Sequence, residues 1–126
     1  MLSCLIVDDS STVRKITRRI LEDMKFSCEE AEDGKVACGA CQARMPDIIL
    51  LDWNMPVMNG LEFIQTLRTM ENGTHPKVIF CTTESGMDHI QKALQAGADE
   101  YIMKPFDRTT IESKFSQLGI LEEIQA

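Results

Sequence analysis

Short apolar runs alternate five times along the chain with stretches of helical spacing, and this alternation limits the fold more than any other feature. The apolar runs are bounded by turn-forming residues and are too short for helices, so they predict β-strands. Between them, apolar residues recur every three or four positions, which predicts amphipathic helices. Five strand and helix pairs in this order predict an α/β fold, with a parallel sheet covered by helices on both faces. The predicted strands lie at 2–9, 27–33, 47–52, 77–83 and 99–103, and the predicted helices at 10–24, 35–44, 60–71, 87–96 and 107–124, the last with a break near Gly119.

The size and composition of the chain are those of one globular domain. Its 126 residues are 44% hydrophobic and 26% charged, so we expect a single domain over 1–126 with no output domain. No apolar run approaches the ~20 residues that cross a bilayer, and the N-terminus lacks the features of a secretory signal. We therefore expect a cytoplasmic protein that does not bind membranes. The net charge of −7 argues against a nucleic-acid partner, because phosphates are neutralised by Lys and Arg.

Polar side chains stand at the carboxyl ends of four predicted strands. Asp8 and Asp9 lie at the end of the first strand, Asp52 at the end of the third and Thr82 near the end of the fourth, and Lys104 follows the fifth. Because the carboxyl ends of parallel strands meet at one edge, where open α/β sheets bind ligands, we expect these groups in one small area. The turn formers that follow Asp52 also allow it a simpler role as a turn cap. We expect the break after this strand to deliver the Asp52 side chain into solvent.

Three carboxylates in one area predict a bound cation. Without one, Asp8, Asp9 and Asp52 would repel one another, and the pKa of at least one would rise. Magnesium prefers one or two carboxylates together with waters and phosphate oxygens, so this small set of side chains fits Mg²⁺ better than Ca²⁺. The sequence contains neither an EF-hand pattern nor a zinc-ligand pattern.

The cysteines allow a redox or metal interpretation that must be weighed separately. Cys38 and Cys41 form a C-x-x-C pair, but no second pair or suitably spaced histidine accompanies it. On a helix both would share a face and fit a core of small residues, which we favour, while a redox role stays open. Cys4 and Cys81 lie within apolar strand patterns and are expected to be buried.

Four segments together resemble the receiver domain of two-component response regulators, above all the stand-alone chemotaxis regulators of the CheY type. They are "IVDDSSTVRK" (6–15), "DWNMPVMNG" (52–60), "CTTE" (81–84) and "YIMKPF" (101–106). No single motif is specific, but their order and intervals are, and the resemblance covers nearly the whole chain. It implies a flavodoxin-like, doubly wound (βα)5 fold with strand order 2-1-3-4-5.

The resemblance implies a phosphorylation site at the strand ends. Asp52 would be the phosphoacceptor, since a carboxylate can attack phosphorus and form an aspartyl phosphate. Asp9, Asp52 and the backbone carbonyl of Asn54 would bind Mg²⁺ directly, and Asp8 would act through water. The metal would offset charge on the transferring phosphoryl oxygens.

Lys104, Thr82 and Pro105 would complete this site by the same resemblance. Lys104 would pair with the phosphoryl group, and Thr82 would donate a hydrogen bond to it. Pro105 would fix the turn that aims the Lys104 amine, through a cis peptide bond. The protein would catalyse only its own aspartyl phosphorylation and dephosphorylation, so we do not expect an enzyme in the usual sense.

The resemblance also implies partners and an output surface. The phosphodonor would be a sensor histidine kinase or a histidine phosphotransfer protein. Phosphorylation would draw Thr82 inward and Tyr101 would follow, so that Tyr101, Ile90 and Lys114 form the surface that a downstream protein reads. The flagellar motor switch is one candidate target, and we expect a monomer. The alternative is a phosphate shuttle or sink within a phosphorelay, without a dedicated target.

Several positions depart from the family pattern or exclude related proteins. Thr83 stands where the family often carries Ala, so its bulk would narrow access for the phosphodonor. Gly86 and Met87 replace lysines of the chemotaxis relatives, which leaves the motor switch only a candidate. The acids after strand one would repel a flavin phosphate. Phosphatases with an aspartyl nucleophile need a second acid where this chain has Asn54.

Overall fold

The observed architecture is a five-stranded parallel sheet with helices on both faces. The computed structural model of the chain describes residues 1–83 and 87–120. The strands pair in the order β2-β1-β3-β4-β5, and every pair is parallel, so the predicted flavodoxin-like fold is confirmed. The elements are β1 (Ser3–Val7), α1 (Ser11–Asp23), β2 (Ser27–Ala31), α2 (Gly34–Ala43), β3 (Ile48–Asp52), α3 (Gly60–Leu67), β4 (Lys77–Thr82), α4 (Met87–Ala96), β5 (Glu100–Met103) and α5 (Arg108–Gln117).

The central strand β3 is buried on both faces, which explains its unbroken apolar sequence. Alternate residues of a strand point to opposite faces of the sheet. Ile48 and Leu50 belong to the core that packs under α1 and α5, whereas Ile49 and Leu51 belong to the core under α2, α3 and α4. Each fully buried side chain of this kind contributes roughly 1.5–3 kcal/mol. Because β3 is buried as far as Leu51, its last residue, Asp52, is the first one to lie at the edge of the sheet.

Polar side chains fix the first turn of four helices. Each cap accepts a hydrogen bond from a backbone N–H that has no partner within the helix, which is worth ~1 kcal/mol. At α3 the Asn59 and Glu62 side chains form a reciprocal capping box. These caps start α1 and α3 just beyond the ends of β1 and β3, beside the predicted site. The capping residues are Ser10 for α1, Asp33 for α2, Asn59 for α3 and Asp107 for α5.

The third helix is shorter than the sequence predicts. It ends at Leu67 rather than near residue 71, because the next backbone N–H groups donate three residues back, Thr69 to Thr66 at 3.1 Å and Met70 to Leu67 at 2.9 Å. Asn72 then takes a left-handed conformation with φ 61°. The Arg68 guanidinium holds this turn by donating to the carbonyls of Gly73 and Pro76 at 2.9 Å and to the Gly97 carbonyl at 2.6 Å. Such contacts between distant loops leave no periodic signal in the sequence.

The last helix breaks where the sequence predicts. The last helix stops at Gln117 and Gly119 has φ +77°, which confirms the predicted break. The predicted end near residue 124 lies outside the described part of the chain. So do Gly86 and the side chain of Met87, where the sequence lacks the lysines of the chemotaxis relatives. No helix in the described ranges is long and apolar enough to cross a bilayer.

Cys4 and Cys81 are buried as the sequence predicts, and Cys28, whose short polar strand allows no prediction, is buried as well. All five are free thiols, and Cys4, Cys28, Cys41 and Cys81 are buried. Burial raises the pKa of Cys41 to about 12. Cys38 is half-buried, and its Sγ lies 3.8 Å from the sulfur of Met58. The packing is that of core residues.

Candidate functional site

The predicted acidic residues meet at the carboxyl edge of the sheet. Strands β1 and β3 are neighbours, with Val7 beside Leu51, so the residues after them emerge side by side. Carboxylate oxygens of Asp8, Asp9 and Asp52 all lie within 4.8 Å of one another. This distance allows the three side chains to share one small cation.

Lys104 bridges two of these carboxylates from across the sheet edge. Its Nζ lies 2.7 Å from Oδ2 of Asp8 and 3.1 Å from Oδ1 of Asp52. The backbone N–H of Lys104 donates to the Thr82 carbonyl at 2.6 Å, and the Lys104–Pro105 peptide bond is cis. The Lys104 amine thus lies at the acidic residues, within 3.1 Å of both Asp8 and Asp52.

Asp52 is not delivered into solvent, so that expectation is wrong. Its side chain is only 13% exposed, and the side chain of Lys104 reaches over it to within 3.1 Å. Burial raises the pKa of Asp52, and repulsion by Asp8 and Asp9 adds to the rise, while the Lys104 ammonium opposes it. Burial also disfavours charge on Lys104, but its hydrogen bond to Asp8 and its attraction to Asp52 keep its pKa above the ordinary value.

The Asp8 and Asp9 side chains are restrained very differently. Asp8 is buried and uses both carboxylate oxygens: Oδ1 accepts from the Ser10 N–H at 2.9 Å and Oδ2 accepts from Lys104. Asp9 is exposed, and no other described residue forms a hydrogen bond with its carboxylate. Asp9 is therefore the most exposed of the three carboxylates.

The loop after β3 carries Asn54 and returns tightly to the strand. Asn54 is exposed two residues after Asp52. The Gly60 N–H donates to the Trp53 carbonyl at 3.0 Å, and a Cβ on Gly60 would lie 2.5 Å from the Asp52 carbonyl oxygen. Only glycine fits this close approach, so Gly60 fixes the loop against the end of the strand.

Thr82 lies beside the acidic residues but its hydroxyl points elsewhere. In the sheet Asp52 pairs with Cys81, and Thr82 is the next residue. Thr82 is buried, and its hydroxyl donates to the Thr83 carbonyl at 3.1 Å. The predicted role of Thr82 therefore needs a change of rotamer when a new acceptor arrives.

The predicted output residues lie at the α4, β5 and α5 side of the sheet. Tyr101 is half-buried, and the Lys114 ammonium lies 4.4 Å from its ring centroid. Lys114 also pairs with Glu100 at 3.4 Å. Ile90 on α4 is half-buried and packs on the same core as Tyr101. Ile90 and Tyr101 thus pack on one core, and Lys114 covers the Tyr101 ring.

Two residues at the site were missed by the sequence analysis. His89 stacks on the Trp53 indole with a centroid distance of 4.3 Å and an interplanar angle of 10°. Arg14 donates from Nη1 to the Asp8 carbonyl at 2.6 Å. A single His on a helix carries no signal, but Arg14 could have been suspected because it lies on the first helix beyond the acidic pair.

Comparisons with known proteins agree with this geometry. Residues 4–116 match the model of the response regulator receiver domain. The chemotaxis protein CheY-3 of Vibrio cholerae is 36% identical over 118 residues, which cover 93% of this chain and 91% of that protein. The chemotaxis protein CheY of Pseudomonas aeruginosa is also 36% identical, with 93% and 95% covered.

Solved structures give the same result for the fold. CheY4 of Vibrio cholerae superposes with a TM-score of 0.87 at 32% identity and covers 93% of this chain and 98% of its own. The receiver domain of a sensor histidine kinase from Pseudomonas aeruginosa has a TM-score of 0.84 at 25% identity, with 92% and 95% covered. That structure has a magnesium ion coordinated in its active site cleft. With its sheet order, its acidic strand ends and these matches over most of its length, the chain belongs to the response regulator receiver domain family of two-component signalling.

Proposed function

We propose that this protein accepts a phosphoryl group on Asp52 and signals by binding a downstream protein in the phosphorylated state. Family membership implies a histidine kinase as phosphodonor. The observation that carries the assignment is the position of Asp52, whose Oδ1 lies 3.1 Å from the Lys104 ammonium. One carboxylate oxygen from each of Asp8, Asp9 and Asp52 lies within 4.8 Å of the other two. Among the described residues, this is the only cluster of three potential metal-ligating acids, cysteines or histidines.

The reaction transfers a phosphoryl group from a histidine nitrogen of the donor to a carboxylate oxygen of Asp52. A carboxylate oxygen of Asp52 attacks the phosphorus of a phosphohistidine, forming an O–P bond while the N–P bond breaks. The electron pair of the N–P bond returns to the imidazole nitrogen, and Asp52 becomes an acyl phosphate. Among the contacts of the described residues, Oδ1 of Asp52 accepts from Lys104 and Oδ2 has no partner, so Oδ2 is free to attack.

The donor atoms of the three carboxylates suit a magnesium ion. They offer only oxygen ligands, which Mg²⁺ prefers. Asp9 and Asp52 would hold the ion directly together with the Asn54 carbonyl, and Asp8 would act through water because both its oxygens already accept hydrogen bonds. When bound, magnesium offsets the charge of the phosphoryl oxygens during transfer.

Lys104 supplies the protein's own positive charge to the reaction. In this structure it holds Asp52 and Asp8 at 3.1 and 2.7 Å. A phosphoryl group on Asp52 would bring more negative charge to the same place, and the ammonium would pair with it. Because the amine is already aimed there by its loop, little reorganisation is needed.

Thr82 and Tyr101 connect this site with the output surface. A phosphoryl oxygen is a stronger acceptor than the Thr83 carbonyl, so the Thr82 hydroxyl would turn toward it. The packed interior tolerates few intermediate arrangements, and Tyr101 would move into the vacated space. The partner would then read Tyr101 together with Ile90 and Lys114. The proposal further includes a cytoplasmic monomer that does not bind nucleic acid, and the flagellar motor switch as a candidate target.

The phosphorylation site is tested by treating the protein with acetyl phosphate and Mg²⁺ and mapping the modification by mass spectrometry. We expect one base-labile phosphate on Asp52, which Asp52→Asn removes and EDTA prevents. Asp47→Asn is the matched control, since Asp47 precedes the same strand at the opposite edge of the sheet. Equal phosphorylation of Asp52→Asn and wild type, or an unchanged rate in EDTA, would contradict the assignment.

The output is tested by comparing proteins captured with and without beryllofluoride, a mimic of the phosphoryl group. A partner that binds only the mimic-bound state supports the switch, whereas phosphate exchange with kinases and no such partner supports the shuttle or sink. With a partner identified, Thr82→Ala and Tyr101→Ala should reduce the affinity gain, typically ~1–3 kcal/mol. If both variants accept the mimic and keep the full gain, the signal does not run through these residues.

A further inference from the structure

We infer that Arg14 is a positioning residue for the metal-binding carboxylates and acts through the peptide bond that joins Asp8 to Asp9. This inference rests on the proposed Mg²⁺ site. Arg14 does not touch a carboxylate of the cluster. Its Nη1 donates to the Asp8 backbone carbonyl at 2.6 Å, and its Nε donates to Oε1 of Glu30 on β2 at 3.0 Å.

The first argument is that every other polar group of Asp8 is already fixed. Its N–H donates to the Ala31 carbonyl at 3.1 Å, and its two carboxylate oxygens accept from Ser10 and Lys104. The carbonyl is the remaining group, and its orientation sets the plane of the following peptide bond. Arg14 therefore fixes the plane of this peptide bond.

The second argument concerns Asp9, the next residue. Its carboxylate is exposed and, within the described residues, has no hydrogen-bond partner. The position of the Asp9 carboxylate therefore depends on the backbone more than on side-chain contacts. By holding this peptide plane, Arg14 keeps the Asp9 carboxylate close enough to the Asp52 carboxylate for both to bind one metal ion. Outer contacts of this kind orient metal ligands, and their loss weakens metal affinity.

The third argument is electrostatic and gives the sign of the effect. A guanidinium near a cation site would oppose the metal if its charge were uncompensated. Glu30 lies 3.0 Å from Arg14, and its other oxygen lies 2.9 Å from Arg18. Hydrogen bonds from Arg18 and Arg14 hold the pKa of Glu30 below its ordinary value. Because Glu30 is ionised at neutral pH, it offsets the Arg14 charge, and the positioning effect should dominate.

Arg18 provides a matched control on the same helix. It shares Glu30 with Arg14, but its side chain is 39% exposed, against 15% for Arg14. Its other ion pair is with Glu22, and among the described residues it forms no hydrogen bond or ion pair with Asp8. Arg14→Met and Arg18→Met each remove one guanidinium bound to Glu30 and keep an unbranched side chain. Only the first removes the donor to the Asp8 carbonyl.

We would titrate the wild-type chain and both variants with Mg²⁺, following Trp53 fluorescence and calorimetry. Arg14→Met should bind Mg²⁺ roughly 10-fold more weakly, whereas Arg18→Met should stay within about 2-fold of wild type. The acetyl phosphate reaction at saturating Mg²⁺ should recover its wild-type rate in Arg14→Met. A general loss of structure would instead lower that rate and the thermal stability together.

Arg14→Lys keeps the charge without the planar donor pair, so it should also weaken Mg²⁺ binding. This variant decides the question if Arg14→Met does not fold. Unchanged or tighter binding in the Arg14 variants, or an equal loss in Arg18→Met, would overturn the inference alone. If wild type itself does not respond to Mg²⁺, the proposed metal site fails and this inference fails with it.

Discussion

Replacing Lys104 with methionine tests how the acidic site is held together without a metal. Lys104→Met keeps the length of the side chain and removes its charge. It leaves the Asp8 and Asp52 carboxylates, which are 6% and 13% exposed, without their shared cation. Removing one partner of a buried ion pair leaves the other charge buried and unpaired, which is strongly destabilising.

The expected loss of stability follows from the two distances. With an effective dielectric constant of ~20, charges 2.7 and 3.1 Å apart attract by about 6 and 5 kcal/mol. The cost of taking the ammonium out of water offsets part of this attraction, and protonation of a carboxylate relieves part of the loss. We expect a net loss of about 2–4 kcal/mol at pH 7 without Mg²⁺. For a domain of 126 residues this lowers the Tm by roughly 8–15 °C.

The loss should depend on pH in a defined direction. The pKa of Asp52 is already raised by burial, and removing Lys104 raises it further. A folded state with the higher pKa binds the proton more tightly than the unfolded state, so stability falls as the pH rises through this range. The stability of Lys104→Met should therefore be closest to that of wild type at acidic pH. The charge of Lys104 does not change there, because its own pKa is also raised.

Adding Mg²⁺ should reduce the difference in stability between Lys104→Met and wild type. The ammonium competes with a metal for the same carboxylates, so Lys104→Met should bind Mg²⁺ more tightly than wild type and recover stability when it is added. We would measure urea unfolding from pH 5 to 8, with Mg²⁺ and with EDTA. Phosphorylation by acetyl phosphate should nevertheless be slower, because the charge that pairs with the phosphoryl group is gone.

Lys114→Met is the matched control for this experiment. Lys114 is 20% exposed and Lys104 is 21% exposed, but Lys114 pairs with only one carboxylate, that of Glu100, at 3.4 Å. Its loss should cost about 1 kcal/mol or less. If both variants lose equal stability, or if Lys104→Met binds Mg²⁺ more weakly than wild type, the acidic site is not held as we infer.

Three further substitutions have opposite expected effects on stability. Asp52→Asn should raise the Tm in EDTA by roughly 3–5 °C, on the order of 1 kcal/mol, because burial together with repulsion by Asp8 and Asp9 disfavours this charge by more than the Lys104 ammonium favours it; a lower Tm in thermal unfolding would contradict this. Gly60→Ala places a Cβ 2.5 Å from the Asp52 carbonyl oxygen, so it should lose roughly 1–3 kcal/mol in urea unfolding and weaken Mg²⁺ binding. A Cβ added at Gly39, inside α2, meets no atom within 4 Å, so Gly39→Ala should gain about 0.5–1 kcal/mol of stability. A loss of stability in Gly39→Ala, or no loss in Gly60→Ala, would refute the packing argument.

The sequence predicts most of the fold because the signals for strands are local and strong. The unbroken apolar run from Ile48 to Leu51 fixes a strand buried on both faces, and the five repeats of strand and helix fix a parallel sheet. A parallel sheet then brings Asp8, Asp9 and Asp52 to one edge without knowledge of any distance. This is why the acidic cluster could be predicted before a structure existed.

Features set by contacts between distant residues could not be predicted in this way. The burial of Asp52 depends on how far Lys104, 52 residues later, reaches across the sheet edge. The early end of α3 depends on Arg68, which donates to the Gly97 carbonyl. In each case a long side chain spans two loops, and its partner is decided by the fold and not by the neighbouring sequence.

The stack between Trp53 and His89 suggests how α4 is coupled to the acidic site. Trp53 directly follows Asp52, and its ring also meets Phe80 edge-on at a centroid distance of 5.2 Å. His89 lies one residue before Ile90 in the proposed output surface. A stacked pair allows few intermediate arrangements, so a shift of the loop after Asp52 would move the first turn of α4 with it. Phosphorylation would then reach the output surface by two routes, one through Thr82 and Tyr101 and one through this aromatic pair. A variant of Thr82 alone would therefore leave part of the affinity gain, whereas Thr82→Ala combined with His89→Ala should remove more of it than either change does.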